Sequence, residues 1–389
     1  MLSRTTLKLV LLVSCAHALV HVFELSLPSV EQEIDAEFEC GVRLTGLLGT
    51  AWRFPWGAAA LLAGWLVDRY GSRSMLTIYL LGCATMCVCV ATTSDFYALF
   101  LPMIGMGTFA SIYHPAGLSL ISQTTTPKTR PFALGIHGVF GSLGIGGAPL
   151  MAGLILSAQL SWRTHYWLLI PPTLLLAVGI YCTQTSTQHR THVSVSKEED
   201  SAHWWFFGML VTIGVVLGIT YSAFLHFLPR YLSDESLTVS SEVGGRQQLL
   251  AGGLLFLGCI GQYTAGHLAR HRILEWQLSL VMALNVPCLI GMAFATGWLR
   301  ALAAGTFALC HFMHQPLYNS LIAKYTPVSR RSLCYGFSFT MGLGIGGIGP
   351  TLAGFSPNDL TTYLSLALAT GIASGISLLL AFQNKPETE

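Results

Sequence analysis

The sequence predicts an all-α membrane protein with twelve transmembrane helices, arranged as two six-helix bundles related by pseudo-symmetry. Three observations predict this fold class. The chain is strongly apolar, it contains twelve apolar segments long enough to cross a bilayer, and its two halves repeat each other's motifs. A soluble domain of this length cannot bury so much apolar surface, so lipid is the expected solvent for most of the chain.

The composition sets the first limit on function. Hydrophobic residues make up 52% of the 389 residues and charged residues only 10%, against about 25% charged in an ordinary soluble domain. The formal net charge is only +2 and there is no basic stripe, so we expect no nucleic-acid partner. The ten cysteines include no Cys-x-x-Cys pair, so neither a zinc site nor a redox pair is indicated and no cofactor is expected.

Short motifs recur about 200 residues apart. The tetrapeptide Gly-Thr-Phe-Ala occurs at residues 107–110 and again at 305–308. The pentapeptide Leu-Gly-Ile-Gly-Gly occurs at 143–147 and again at 343–347. A nearly constant spacing of this kind is typical of a duplicated unit. Duplicated halves of apolar helices are how many secondary transporters are built, with the substrate site between the halves.

Twelve segments reach the length of about 20 mostly apolar residues that a transmembrane helix needs. They lie near residues 7–28, 44–67, 74–93, 96–122, 131–158, 163–183, 204–229, 246–268, 274–295, 298–323, 332–355 and 359–382. The polar stretch at the midpoint, residues 184–203, is interpreted as a cytoplasmic linker. It would join an N-terminal bundle (residues 1–183) to a C-terminal bundle (residues 204–389).

The first apolar segment resembles a signal peptide, because Arg4 and Lys8 precede it and Ala-His-Ala at residues 16–18 imitates a cleavage site. Residues 21–28, however, align with residues 222–229 at the repeat spacing. The segment therefore belongs to the duplicated unit, and we interpret it as a membrane span.

The distribution of Lys and Arg predicts the orientation, since cytoplasmic loops of membrane proteins are enriched in these residues. With both termini inside, the cytoplasmic segments hold Arg4, Lys8, Arg69, Arg73, Lys128, Arg130, Arg190, Lys197, Arg270, Arg272, Lys324, Arg330, Arg331 and Lys385. The outer loops hold Arg43, Arg163, Arg230, Arg246 and Arg300. We therefore expect a multi-pass protein of the inner (cytoplasmic) membrane with both termini in the cytoplasm.

The most specific motif is a charged loop between the second and third segments, Gly-Trp-Leu-Val-Asp-Arg-Tyr-Gly-Ser-Arg at residues 64–73. Gly64 allows close approach of a neighbouring helix, and Gly71 supplies a turn that bulkier residues resist. Asp68 can accept hydrogen bonds at a helix N-terminus or pair with a basic residue. This loop resembles the signature loop of the major facilitator superfamily.

The resemblance implies the major facilitator fold and a monomeric secondary transporter, not an enzyme, that works by alternating access. Its partners would be a small-molecule substrate, protons and the lipid bilayer. It also implies a conformational latch formed by Gly64, Asp68, Arg69, Gly71 and Arg73. The corresponding loop of the second half, residues 266–272, keeps the glycine but has no acid, so only the first copy is expected to latch.

A second motif, Ile-Tyr-His-Pro-Ala-Gly at residues 112–117, resembles the fosmidomycin-resistance branch of the superfamily and the related magnetosome branch. The first branch implies proton-coupled efflux, as an antiporter, of a small polar or anionic compound. The alternatives are transport of a metal ion (iron-like) or metal chelate, and a non-transporting membrane sensor or assembly partner. Residues 99–107 lack the arginine of many proton-coupled members, and the antiporter signature appears only loosely at residues 144–149, so antiport is implied by the branch alone.

Polar side chains inside the predicted spans form the candidate site, because ionisable groups in a membrane are costly and tend to mark pathways. His17, His21 and Glu24 follow an i, i+4, i+7 pattern and share one face of the first span. In the superfamily, spans one, four, seven and ten line the cavity, and most candidates fall on those spans. The remaining cavity candidates are Arg53, His114, His137, His226, His311, His314 and Gln315.

Three interpretations of this set stay open. In the first, Glu24, His21 and His17 take up and release protons, since imidazole titrates near neutral pH. In the second, the same three residues bind a transition metal, for which imidazole and carboxylate are good ligands. In the third, each side chain is hydrogen-bonded to a neighbouring helix and is structural. Arg53 is expected either to hold an anionic group of the substrate or to pair with Glu24. His114 and His314 lie where adjacent prolines, Pro115 and Pro316, are expected to break their helices.

Overall fold

The computed structural model describes residues 3–126, 129–183, 203–233, 244–327 and 330–383. Helices dominate these ranges and form twelve spans in two groups of six, which confirms the predicted fold class. The predicted linker lies outside the described residues except for His203, and so do four of the basic residues used to predict orientation. These four are Lys128, Arg190, Lys197 and Lys385.

The two bundles have matching numbers of spans. Spans 1 to 6 comprise Arg4–Phe38, Val42–Ala58 with Ala60–Tyr70, Ser72–Thr92, Phe100–Ala110 with Tyr113–Thr124, Arg130–Ser157 and Arg163–Cys182. Spans 7 to 12 comprise Trp204–Tyr231, Arg246–Leu268, Leu274–Phe294, Trp298–Phe312 with His314–Tyr325, the broken span Arg331–Phe339 to Gly349–Gly354, and Asp359–Gln383.

Among the described residues, eight helices are long and apolar enough to cross a membrane alone, and they are spans 1, 3, 5, 6, 7, 8, 9 and 12. The other four spans are broken. Spans 4 and 10 break just before Pro115 and Pro316. Proline has no N–H to donate, and its ring clashes with the carbonyl four residues earlier, so the ladder of helical hydrogen bonds is interrupted there.

Spans 2 and 11 break in a different way. Span 2 is divided at Ala59. Span 11 passes through a π-helical turn, Thr340–Ile345, and a 3₁₀ turn, Gly346–Ile348. The two spans lie against each other at these breaks, since a Cβ at Gly57 would lie 2.0 Å from the backbone nitrogen of Gly344. The broken region of span 11 therefore packs its backbone directly on span 2.

Span 1 is held by its neighbours in the N-terminal bundle. A Cβ at Gly144 of span 5 would lie 2.2 Å from the carbonyl oxygen of Ala18, so these two helices are in backbone contact. The hydroxyl of Tyr79 donates to the carbonyl of Ala16 at 3.1 Å, and that of Tyr113 donates to the carbonyl of Val13 at 2.8 Å. These contacts fix the rotation of span 1 and therefore the direction of its polar face.

The halves are joined at one end of the molecule. We call the end where span 1 begins and span 12 ends the terminal face, and the other end the opposite face. At the opposite face, Arg230 of span 7 binds Glu31 at 2.9 Å and Asp35 at 2.7 Å, both on span 1. The hydroxyl of Ser157 donates to the carbonyl of Gly244 at 2.8 Å. The molecule is therefore closed at the opposite face.

Towards the terminal face the halves separate. A Cβ at Gly135 or Gly138 of span 5 would have no heavy atom of the described residues outside its own helix within 4 Å. Leu118, beyond the break in span 4, is 37% exposed. A cavity between the halves therefore opens towards the terminal face.

Candidate functional site

A cavity of about 320 Å³ lies between the two bundles near the middle of the spans. Both halves line it, and many of the lining side chains are aromatic or imidazole rings. From the N-terminal half, the predicted candidates in its wall are His17, His21, His114 and His137. From the C-terminal half they are His311, His314 and Gln315. The structure thus brings seven of the predicted site residues together around one space.

Glu24 is the centre of a buried polar network beside this cavity. Its side chain is fully buried and forms an ion pair with Arg53, with 2.8 Å between Oε1 and Nη1. Its other oxygen, Oε2, is 2.7 Å from Nδ1 of His21. A carboxylate only accepts hydrogen bonds, so His21 donates from Nδ1. The shared face predicted for span 1 is therefore used to join Glu24 to His21.

Arg53 connects this network to the other half. Its guanidinium carbon lies 5.6 Å from the ring centre of Tyr221, on span 7. Its Nη2 is buried and has no hydrogen-bond partner among the described residues. Of the two roles expected for Arg53, the structure therefore shows the pairing with Glu24, and it also leaves one buried donor unused.

His17 lies one helical turn before His21 and contacts span 5. Its Nδ1 is 2.8 Å from the carbonyl oxygen of His137, and the two rings stack with their centres 3.9 Å apart. The ring packs over Gly141, where a Cβ would come within 2.5 Å of it. Ring nitrogens of His17, His21 and His114 lie within 4.8 Å of one another. The N-terminal side of the cavity is therefore an imidazole cluster.

The C-terminal side of the cavity is polar but less connected. His311 is 1% exposed, and neither of its ring nitrogens has a hydrogen-bond partner among the described residues. Nδ1 of His314 bonds to the carbonyl of His311, and the amide of Gln262 bonds to Gln315. This side offers hydrogen-bonding groups to a ligand without an ion pair like that of Glu24 and Arg53 opposite.

The sequence model of the Major Facilitator Superfamily matches residues 13–350. The chain belongs to the Major Facilitator Superfamily. The resemblance seen in the loop at residues 64–73 is thereby confirmed, and with it a family of membrane transporters rather than enzymes. The narrower resemblance to the fosmidomycin-resistance and magnetosome branches stays a prediction.

Curated relatives match parts of the chain. The puromycin resistance protein pur8 of Streptomyces alboniger is 31% identical over 41% of this chain and 31% of its own length. The nitrate/nitrite transporter NrtP of Nostoc punctiforme is 25% identical over 48% of this chain and 40% of its own length. The chain therefore spans less than half the length of these relatives.

Solved structures match over nearly the whole chain. A bacterial homologue of the human lysosomal transporter Spinster, in an inward-facing and unoccupied conformation, has a TM-score of 0.78 at 13% identity and covers 99% of both chains. The inward-open xylose transporter XylE of Escherichia coli has a TM-score of 0.77 at 12% identity, over 99% of this chain and 97% of its own. At these identities the likeness establishes the major facilitator fold.

The signature loop of the superfamily is at the terminal face. Gly71 has φ of +84°, a conformation that glycine adopts without strain, and Arg73 donates to the carbonyl of Thr183 at 2.7 Å. Gly64 lies beside Pro115, with 4.0 Å between the position of a Cβ and the proline Cβ. Asp68 is exposed and has no hydrogen-bond partner among the described residues.

Two predicted cavity residues do not line the cavity: Arg53 lies beside it in the network of Glu24, and His226 lies elsewhere. His226 is completely buried between spans 7 and 2, where a Cβ at Gly49 would lie 2.4 Å from its ring. The cavity wall also contains residues that were not predicted from the sequence, chiefly Gln262, Tyr221 and Tyr318. Gln262 is a polar residue within span 8, and that signal could have identified it. The tyrosines have no such signal, because their rings suit a helix that faces either lipid or protein.

Proposed function

We propose that this chain is a proton-coupled secondary transporter that works by alternating access. In this proposal it is a monomer in a bacterial inner membrane, with the terminal face in the cytoplasm, and it exports a small polar or anionic compound in exchange for protons. The observation that carries the proposal is the buried network of Glu24, Arg53 and His21 beside a cavity between the halves.

The position of the cavity supports alternating access. A substrate bound between two bundles is exposed to one side or the other as the bundles rock around it. The contacts at the opposite face and the separation at the terminal face are those of one end state of this motion. With the predicted orientation, that state is inward-facing.

The geometry of Glu24 supports proton coupling. When ionised, Glu24 neutralises Arg53 across 2.8 Å inside the membrane. A proton on Glu24 removes that charge and breaks the ion pair, so the carboxylate no longer attracts a polar donor group of a substrate bound beside it. Protonation of Glu24 and binding of the substrate thus oppose each other, as exchange requires. His21 is placed to pass the proton between Glu24 and the cavity.

The relatives support the direction and substrate class. A puromycin resistance protein among them fits export of a harmful compound, and a nitrate/nitrite transporter fits an anionic substrate. Asp68 is exposed and unpaired among the described residues, which fits a latch that is released in this state and engages when the terminal face closes. Arg69 and Arg73, which flank the same loop, would then act with it.

The test is proton movement in proteoliposomes under an imposed pH gradient, with wild type, Glu24→Gln and Glu39→Gln reconstituted in parallel. Glu39 is an exposed residue just after span 1, so its variant controls for the chemical change. Small phosphonates, nitrate and divalent metal ions are added in turn. We expect one ligand class to evoke a proton flux that Glu24→Gln abolishes and Glu39→Gln keeps. A substrate flux that ignores the gradient and survives Glu24→Gln would show a uniporter.

The alternative substrate, a metal ion or metal chelate, is favoured by one specific observation. The ring nitrogens of His17, His21 and His114 lie close enough together to be brought to a single ion. Divalent metals are therefore one of the ligand classes in the transport assay.

A further inference from the structure

Three imidazoles on the N-terminal side of the cavity are grouped like the ligands of a metal, and we infer that His17, His21 and His114 form a binding site for a divalent transition-metal ion. Their ring nitrogens lie within 4.8 Å of one another. Nitrogens bound to one ion at about 2.1 Å in tetrahedral geometry are about 3.4 Å apart. Small rotations of the side chains that move each nitrogen by less than about 1 Å are enough to close this difference.

The ligand set differs from the set considered in the sequence analysis. There Glu24 was the third candidate ligand beside His17 and His21. In the structure both oxygens of Glu24 are engaged, one by Arg53 and one by His21. His114, from span 4, takes its place in the cluster. Glu24 instead lies behind a ligand, where it orients the imidazole.

Two of the three imidazoles are held in a form suited to metal binding. Nδ1 of His17 faces the carbonyl of His137 at 2.8 Å, and Nδ1 of His21 faces Glu24 at 2.7 Å. Carbonyl and carboxylate oxygens only accept, so both histidines donate from Nδ1, which leaves Nε2 of each ring as the nitrogen that can bind a metal. Metal-binding histidines characteristically donate their other N–H to a carboxylate or carbonyl, which fixes the tautomer and the ring orientation.

The third imidazole lacks any other partner. Neither ring nitrogen of His114 has a hydrogen bond among the described residues. Its ring stacks on Phe339 of span 11, with centres 6.1 Å apart, and lies 5.9 Å from Trp56. The ring is only partly buried and lines the cavity, so its nitrogens are available to a ligand. A metal ion shared with His17 and His21 provides one.

The donor type selects the ion. Imidazole nitrogens suit Zn²⁺, Ni²⁺, Co²⁺ and Cu²⁺, whereas Mg²⁺ and Ca²⁺ prefer oxygen ligands. Three protein ligands leave at least one coordination position free. The same residues line a cavity of about 320 Å³, roughly ten times the volume of a water molecule in the liquid. The space therefore has room for an ion together with a small chelator.

The inference deepens the proposed transport function and, in this respect, rests on it. The substrate class it names is a divalent transition-metal ion in complex with a small polar or anionic chelator.

The test is metal binding to the purified full-length chain in detergent, prepared with an affinity tag that contains no histidine. Co²⁺ is titrated, and its visible absorption is followed because tetrahedral coordination gives intense bands. X-ray absorption of the bound ion counts its nitrogen ligands. We expect one Co²⁺ per chain with three imidazole ligands, displaced by Zn²⁺ and unaffected by Mg²⁺.

Variants locate the site. His17→Gln, His21→Gln and His114→Gln are each expected to weaken Co²⁺ binding at least 10-fold, whereas His267→Gln, an exposed histidine at the end of span 8, leaves it unchanged. Glu24→Gln is expected to weaken binding about 10-fold through the orientation of His21. The number of nitrogen ligands is measured on the wild type, so the inference can still be tested if one of the variants fails to fold.

Two results would overturn the inference. One is the absence of saturable Co²⁺ binding to the wild type. The other is binding that survives when all three histidines are replaced together. Because these measurements need no membrane gradient, they are independent of the transport assay. Metal binding without metal-driven proton flux would refute the proposed coupling, while substrate-driven flux without metal binding would refute the site alone.

Discussion

Spans 1 and 7 occupy the same place in the two halves, yet one carries the polar network and the other does not. The spans align through Pro28 and Pro229, which lie near their ends at the opposite face. The corresponding pairs are then His17 with Gly218, His21 with Ser222 and Glu24 with Leu225. These three ionisable residues of span 1 thus correspond to small or apolar residues in span 7.

The small residues of span 7 are used for packing. A Cβ at Gly218 would lie 1.8 Å from the carbonyl oxygen of Gly342, and the hydroxyl of Ser222 donates to the carbonyl of Gly346 at 2.6 Å. Span 7 is therefore in backbone contact with span 11. In the other half, the ring of His17 packs over Gly141, so there the small residue lies on the partner helix. Both helix pairs are in backbone contact, but only the pair of spans 1 and 5 carries imidazole side chains at these positions.

The largest expected effect comes from breaking the ion pair in span 1's network. Arg53→Leu leaves Glu24 ionised and buried without its cation, which is expected to lower the free energy of unfolding by about 3–5 kcal/mol. The double variant Arg53→Leu with Glu24→Gln removes both charges and should recover most of that loss. Thermal unfolding of the detergent-solubilised proteins measures both. Equal unfolding temperatures for the single and double variants would show that the pair does not stabilise the fold.

The second-largest effect on stability is expected at one pair of corresponding positions, Gly218 of span 7 and His17 of span 1. There, helix packing can be measured separately from metal binding. Gly218→Ala places a methyl group against a backbone carbonyl and is expected to lower the free energy of unfolding by about 1–3 kcal/mol. His17→Ala, at the corresponding position, loses one hydrogen bond worth about 1 kcal/mol but should abolish metal-dependent behaviour. Unfolding curves and Co²⁺ titrations on both variants measure the contrast. If His17→Ala unfolded more easily than Gly218→Ala, span 1 rather than span 7 would depend on this position for packing.

The smallest effect is expected at Ser222. Ser222→Ala removes its hydrogen bond to the carbonyl of Gly346 and should cost about 1 kcal/mol of stability. Transport should be unchanged, since the hydroxyl is engaged by span 11 and not by the cavity. The matched change on the other side is His21→Ala, which should remove proton-coupled flux. Proteoliposome assays on the pair make the comparison, and a loss of flux in Ser222→Ala would place span 7 in the coupling machinery.

Much of the fold could be predicted because its causes are local. The length and apolarity of the segments predict twelve spans, and Pro115 and Pro316 indicate the breaks of spans 4 and 10. The break in span 2 at Ala59 and the π-helical turn of span 11 were not predicted. They lie where the two halves meet at Gly57 and Gly344, so they depend on contacts between distant segments.

Part of the candidate site could be predicted from the sequence, and part could not. The shared face of His17, His21 and Glu24 follows from helical periodicity alone. The choice of partners does not, because it depends on how each span is rotated about its axis. That rotation pairs Arg53 with Glu24, groups His114 with the histidines of span 1, and buries His226 away from the cavity.

The ion pairs at the opposite face determine which ions gather there when that face opens. There a single arginine, Arg230, is shared by two carboxylates, Glu31 and Asp35. When that face opens, Arg230 leaves with span 7 and the carboxylates of Glu31 and Asp35 lose their cation, while Glu37 keeps its pair with Arg163. The uncovered carboxylates give the mouth a negative potential, which lowers the local concentration of anions and raises that of cations. A fixed potential acts equally on entry and exit, so opening this face gathers protons and other cations at the mouth whichever way the substrate travels.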